Sequence, residues 1–345
     1  MRTFSWLTMV VVGAFGTACS DEAAPIAAGG GGGGSGGGAA GTNATAGSVA
    51  GGTGGMAGGS GGAAGTGVTA GTGGASGGTG GATALKDIVD TAVAAGSFNE
   101  LAKALTTAEL VTTLKGPGPF TVFAPTDQAF AAFEMANPGV LAGLSKEALT
   151  AILTYHVVPA AAKSTDLKDD QVFVTVNGSP LLVDLTGGVK AGGSNVTMPD
   201  VLATNGVIHV IDEIIMPPSK DIVETAVEAG SFTTLAGALM SASLVDTLKG
   251  PGPFTVFAPT DAAFEKLEQV PTGDALRDVL LYHVVSGAVG SGNLMEGMVP
   301  TLLMDESVTV SLAGGAKINA SNVTMANIIA KNGVIHVVDT VLVPQ

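Results

Sequence analysis

Cysteine is nearly missing from this sequence. Cys19 is the only one in 345 residues, so no intrachain disulfide can form. Aromatic residues supply only 4% of the chain and charged residues only 12%. Bases are the scarcer sign, 14 Lys and Arg against 29 Asp and Glu, for a formal net charge of -15. A chain this acidic is repelled by phosphate backbones, which excludes nucleic acid as the expected partner and removes electrostatic attraction to an anionic membrane surface. No apolar run is long enough for a membrane helix; the run from Trp6 to Phe15 is too short to cross a bilayer. The familiar catalytic and metal-binding spacings are also missing. There is no HxxxH or CxxC element, no GxxxxGK loop, no serine elbow on a strand-to-helix turn and no readable pair of working carboxylates. The expectation is a chain with no catalytic residues, no metal and no cofactor.

What is present begins with an export signal. Arg2 precedes the apolar run, and Gly16, Thr17 and Ala18 lead into Cys19, a pattern that reads as residues 1–19 of a lipoprotein-type signal peptide with lipidation at Cys19. Lipidation would give the lone thiol a use. The expected location is secreted, at the outer membrane and cell surface or in the periplasm, with membrane attachment only through that lipid. Residues 20–84 read as a linker rich in Gly, Ala, Ser and Thr, which takes most of the 53 glycines. Such a segment cannot bury enough apolar surface to offset its ordering entropy. About 54 flexible residues reach roughly 40 Å as a coil, enough for a spacer between anchor and globule.

From Leu85 onward the chain repeats itself. Lys86-Asp87-Ile88-Val89 recurs as Lys220-Asp221-Ile222-Val223, and GPGPFTVFAPTD occurs at Gly116–Asp127 and again at Gly250–Asp261. Tyr155-His156-Val157-Val158 recurs as Tyr282-His283-Val284-Val285, and Asn205-Gly206-Val207-Ile208-His209 as Asn332-Gly333-Val334-Ile335-His336. The spacing is 134 residues for the first two pairs and 127 for the last two, which places a seven-residue deletion between Asp261 and Tyr282. A period of this size is a duplicated domain, 85–216 and 219–345, joined at Met216-Pro217-Pro218-Ser219.

Within each repeat the hydrophobic period changes. Leu85, Ile88, Val89, Ala92 and Val93 form a helical stripe that Gly96 stops, and Leu101 to Leu114 reads as a second helix ended by Gly-Pro-Gly-Pro. Phe120–Ala124 reads as a strand, Asp127 as the cap of a helix carrying Phe130 and Phe133, and Leu149, Ile152, Leu153 and His156 as a third stripe after Ser145. Val172–Val176, Leu181–Leu185 and Val207–Ile211 read as strands between Asn, Gly and Pro turns. Helices first and strands afterwards predict an α+β domain.

All four histidines, His156, His209, His283 and His336, lie in the repeated motifs. His156 and His283 fall on the apolar stripe of a helix, and His209 and His336 on a strand that is apolar on both sides. They are expected as neutral, hydrogen-bonded structural residues of the core. Asp127 and Asp261 are expected as caps. Tyr155 and Tyr282 admit two readings, an amphipathic ring at a binding surface or a packing residue bonded through its hydroxyl.

GPFTVFAPTD with Ala-Phe after it, the Tyr-His dipeptide and the closing NGVIHV, in this order and twice over, resemble the fasciclin domain. The resemblance covers about 260 of the 345 residues. It implies two tandem fasciclin-like α+β domains, each a β-sandwich or wedge of about seven strands packed with several helices. It implies a non-catalytic role in cell adhesion or matrix association, with a cell-surface or matrix protein or a polysaccharide as partner. In adhesive relatives an Asp-containing stretch before the NGV motif, with the Tyr-His region, is associated with receptor contact. That carries over here to Pro199–Gly206 with Asp200, and to Tyr155 and Tyr282. The second repeat reads Ala326–Gly333 and has Asn327 where the first has Asp200. Two other functions compete: a small-ligand carrier with a pocket between helices and sheet, and a hydrolase.

Overall fold

The computed structural model describes residues 85–344. The expected signal segment with Cys19 and the whole glycine-rich tract, residues 1–84, lie outside the described residues.

The first repeat opens with α1 (Ile88–Ala95), α2 (Asn99–Thr107) and α3 (Val111–Leu114). Asp87 caps α1 by accepting the Asp90 N–H at 2.8 Å, and Gly96 closes it in the left-handed region at φ 73°. The single helix expected from Leu101 to Leu114 is two. Glu109 adopts φ 58°, and the Leu110 N–H then bonds back to the Leu105 carbonyl, a left-handed stop that hydrophobic spacing does not reveal. Then come β1 (Phe120–Pro125), α4 (Asp127–Ala136), α5 (Val140–Gly143), α6 (Lys146–Tyr155) and β2 (Val157–Val158). The domain ends with β3 (Gln171–Val174), β4 (Pro180–Asp184), β5 (Lys190–Ala191), β6 (Ser194–Ala203) and β7 (Gly206–Ile211).

The strands form one seven-stranded sheet in the order β2-β1-β7-β6-β5-β4-β3. β1 and β7 lie parallel, starting at Phe120 opposite Gly206, and all the other neighbours are antiparallel. Period-two alternation splits the side chains of β1 and β7 between two cores. Val122, Ala124, Ile208 and Val210 pack with Ile88, Leu101, Leu105 and Leu153 under the helices. Phe123 and Ile211 point the other way, into a second core with Leu181, Val183 and Ala191 from β4 and β5. The sheet therefore curls into a wedge with helices on one outer face.

The repeated motifs meet in space. A Cβ on Gly206 would lie 2.1 Å from the Phe120 carbonyl oxygen, so the start of the parallel pair needs glycine. Beside it the Asn205 side chain donates to the Leu114 and Gly116 carbonyls and accepts the Ile88 N–H, pinning three segments at once.

The second repeat copies the first: α7 (Ile222–Ala229), α8 (Thr233–Ser241), α9 (Val245–Lys249), β8 (Phe254–Pro259), α10 (Asp261–Phe264), α11 (Asp274–Tyr282), β9 (Val284–Ser286), β10 (Gly297–Pro300), β11 (Ser307–Ser311), β12 (Lys317–Ile318), β13 (Ser321–Ala330) and β14 (Gly333–Val338). Its sheet order, β10-β11-β12-β13-β14-β8-β9, is that of the first repeat. The seven missing residues fall after α10, which keeps four residues where α4 has ten, and no counterpart of α5 follows it. Asn332 repeats the role of Asn205, accepting from Ile222 and donating to Leu248 and Gly250.

Candidate functional site

The histidines come in two kinds, one of each per domain. His156 follows the end of α6 and is 2% exposed. Its Nδ1–H donates to the Ile152 carbonyl at 2.8 Å, and Nε2 accepts the Ile215 N–H at 3.0 Å. A backbone N–H must meet a lone pair, so the ring carries its proton on Nδ1. His283 repeats this with the Val279 carbonyl and the Leu342 N–H. Burial lowers both imidazoles from 6.5 to about 4, against a smaller upward pull from the carbonyl each donates to.

The second kind sits on the last strand of each domain. His209 stacks on Phe123 at 5.5 Å between ring centres, and its Nε2–H donates to the Ala162 carbonyl at 2.9 Å. Nδ1 accepts the Asp200 N–H at 3.3 Å. In the second domain His336 stacks on Phe257, donates to the Val289 carbonyl and accepts the Asn327 N–H. Burial lowers the His336 imidazole.

That contact fixes a bulge. The β6–β7 register shifts between Met198 and Val201, and Asp200 takes φ 60° there. Asp and Asn tolerate this left-handed conformation better than other side chains, and Asn327 shares it in β13 at φ 60°. The Asp200 carboxylate accepts both the N–H and the hydroxyl of Ser164, which begins a single 3-10 turn, Ser164–Asp166. The Ser164 hydroxyl, then its N–H, hold the Asp200 carboxyl below its ordinary 3.8. Around the bulge Met198 is 57% exposed and Leu202 45%, and Pro199 is exposed too. A shallow, mainly apolar groove of about 440 Å³ runs beside it, bordered by Phe98, Ala95, Met198 and Val201.

Two expectations are corrected here. Asp127 does not cap the helix it begins; Thr126 does, accepting the Ala129 N–H. Asp127 reaches instead to the start of α2, accepting the Glu100 N–H at 2.8 Å and the Asn99 amide. Asp261 does the same for α8 through Thr233 and Thr234, whose bonds lower its carboxyl to about 2, the Thr233 side chain foremost. Both carboxylates cap a helix that the linear pattern assigns no cap. The second correction concerns the tyrosines as contact residues. Tyr155 is 3% exposed and Tyr282 2%. Their hydroxyls donate to the carbonyls of Pro180 and Ser307 at 2.9 Å, tying the end of a helix to the far part of the sheet. A ring so placed cannot touch a partner.

The remaining chemistry is quiet. Among the described residues every buried side-chain nitrogen and oxygen has a hydrogen-bond partner, and no three His, Cys, Asp or Glu side chains are placed to hold a metal ion. Among them, too, no helix is long and apolar enough to cross a membrane. Between helices and sheet each domain has an apolar void of only about 20 Å³, lined in part by His156 or His283. A polar cleft of about 610 Å³ opens where Asn177–Ser179 of the first domain faces Asp221, Glu224 and Lys249 of the second. Its Lys249 is already paired with both of those acids.

Sequence reasoning missed Ser164, the pinning role of Asn205 and the bulge that brings the Asp200 N–H to His209. Asn205 had a signal in the repeated Asn-Gly pair. Ser164 had none, since it meets Asp200 from 36 residues away.

Comparison with known proteins finds the same family in both repeats. The fasciclin domain model matches residues 96–217 and 230–344. An uncharacterized protein of Synechocystis sp., sll1735, is 43% identical over 134 residues, covering 38% of this chain and 98% of that protein. Transforming growth factor-beta-induced protein ig-h3 of Sus scrofa is 28% identical over 273 residues, 76% of this chain. Periostin of Homo sapiens is 28% identical over 269 residues, again 76% of this chain. The chain spans only 40% of that ig-h3 and 31% of that periostin. A solved FAS1 domain pair from the insect cell adhesion molecule Fasciclin I aligns with 72% of this chain and 97% of its own, at 19% identity and a TM-score of 0.33. With two matched segments covering most of its length, the repeated motifs now placed in one fold, the chain belongs to the fasciclin domain family and carries two such domains in tandem.

Proposed function

We propose that this chain is a non-catalytic adhesion or matrix-binding protein displayed outside the cell. The β6 bulge of its first domain is the contact surface, with a surface protein or a polysaccharide as partner. The observation that carries this reading is the exposed ridge of Met198, Pro199 and Leu202 around the clamped Asp200, with the apolar groove beside it. Exposed apolar surface of this kind suits macromolecular contact. A carrier for small ligands needs an enclosed pocket of several hundred cubic ångströms. The enclosed voids here are about 20 Å³. Attachment would run through lipidated Cys19 and the glycine-rich spacer, which would hold the domains clear of the membrane.

Binding of the full chain to immobilised cell-envelope protein and polysaccharide fractions tests this, with Met198→Glu and Asp200→Ala compared to wild type. Both variants are expected to keep two folded domains and to lose at least tenfold in binding. Full binding by both variants would place the contact elsewhere.

A further inference from the structure

Where the two domains touch, one contact joins a turn of the second to a strand edge of the first. β3 is the outermost strand of the first sheet, so one side of it has no strand partner. The 3-10 turn Ser291–Asn293 of the second domain covers that side. The Val172 N–H donates to the Asn293 side chain at 2.7 Å, and the Gly292 N–H donates to the Asp170 carbonyl at 3.1 Å. The Ser291 hydroxyl donates to the Asp170 carboxylate at 2.9 Å.

The first domain has the same turn, with other residues. Gly290-Ser291-Gly292-Asn293 stands where the first repeat has Lys163-Ser164-Thr165-Asp166. Backbone geometry does not demand the glycines: Gly290 lies at φ -78°, ψ 165° and Lys163 at φ -83°, ψ 158°. The neighbouring domain demands them. A Cβ on Gly290 would lie 2.5 Å from a Val172 methyl, and one on Gly292 would lie 1.9 Å from the Asp169 carbonyl oxygen.

The Asp-to-Asn difference at the bulge completes the pattern. Asp200 can only accept, so it takes the Ser164 hydroxyl proton for itself. Asn327 accepts the Ser291 N–H but donates its own amide to the Ser291 oxygen at 2.8 Å. That leaves the Ser291 proton free to point at Asp170. On the receiving side, Asp170 aligns with Gly297 in the second repeat, which has no carboxylate to offer.

We infer that the Gly290–Asn293 turn, with Asn327 behind it, is a one-way docking key for the β3 edge of the first domain. It fixes the order of the two domains and keeps the contact from propagating to further copies. The first domain's own turn is blocked by Lys163 and Thr165 and has its hydroxyl already committed. The second domain's edge strand, β10, lacks the acceptor. The pair is closed at two.

Amide hydrogen exchange on the full chain tests this. Gly290→Lys with Gly292→Thr imports residues that the first repeat carries in the same conformation. It is expected to raise exchange at Val172 and at residue 292 at least tenfold, with Phe257 and His283 still protected. Asn327→Asp is a smaller change, which decides the matter if the double variant fails to fold. It is expected to raise exchange at Val172, and adding Asp170→Asn is expected to restore protection. Unchanged protection at Val172 in a folded double variant, or in Asn327→Asp, overturns the proposal.

Discussion

His156 and Ile215 lie 59 residues apart in sequence and are joined by one hydrogen bond, from the Ile215 backbone N–H to the imidazole Nε2 at 3.0 Å. The bond links the end of α6 to the segment just beyond β7. The other ring nitrogen binds back to Ile152, so one side chain closes the helix and holds the segment by which the chain leaves the domain.

His156→Ala is expected to destabilise the first domain by about 3–5 kcal/mol. It opens a cavity and leaves the Ile152 carbonyl and the Ile215 N–H without their partner. Denaturant titration that follows each domain separately checks this. The same loss in the second domain is expected from His283→Ala, and a change under 1 kcal/mol in either would mean that the ring is not a fastener.

Acid should act in two stages. An imidazole held at about 4 when folded and titrating near 6.5 when unfolded takes up its proton first in the unfolded chain. The stabilisation is fully present above 6.5 and is lost as pH falls towards 4. It amounts to at most about 3 kcal/mol for each of His156 and His283. Asp261 and Asp339 are held at about 2 by their hydrogen bonds, foremost those from the Thr233 and Asn322 side chains. They add stability above the ordinary carboxylate range, and it is lost as pH falls from about 4 to about 2. Thermal unfolding from pH 8 to pH 2 is expected to show a first decline below 6.5 and a second below 4. A flat profile between 6.5 and 4 would contradict the histidine stage.

Much of this was legible in the sequence because it is local. Gly96 announces the end of α1, and Ser145 announces the start of α6. The parallel pair β1–β7 joins two motifs that a repeat search finds without any structure. What was not legible depends on contacts across the fold. Asp127 reads as a cap for its own helix because nothing in the linear pattern shows that α2, whose own N-cap residue is Phe98, lies beside it. Tyr155 reads equally well as surface or interior because its partner, the Pro180 carbonyl, is backbone that any residue could supply. The β6 bulge escaped notice because its residues alternate poorly and its partner serine lies in a loop.

Tyr155→Phe separates the interior reading of this ring from a contact role. It removes one buried hydroxyl bond and is expected to cost about 1 kcal/mol in the first domain. Binding to envelope fractions should not change. A loss of binding at unchanged stability would return the tyrosine to the contact surface.

Asp127→Ala removes the acceptor at the start of α2, and Asp261→Ala the one at α8. Each is expected to cost about 1 kcal/mol, the usual value of an N-terminal cap. In hydrogen exchange the added opening should appear at the first turns of α2 and α8, not in the helices that Asp127 and Asp261 begin. Loosening of α4 or α10 alone would contradict the cross-helix assignment.

The four histidines fasten the fold through both of their ring nitrogens. Nitrogen-15 NMR of the imidazoles in the folded chain tests this most directly. The expected spectrum shows His156 and His283 protonated on Nδ1, and His209 and His336 on Nε2. His156 and His283 should stay neutral down to about pH 5, and no resonance should move when zinc is added. Titration of His156 or His283 near 6.5, or a zinc-dependent shift of any ring nitrogen, would contradict it.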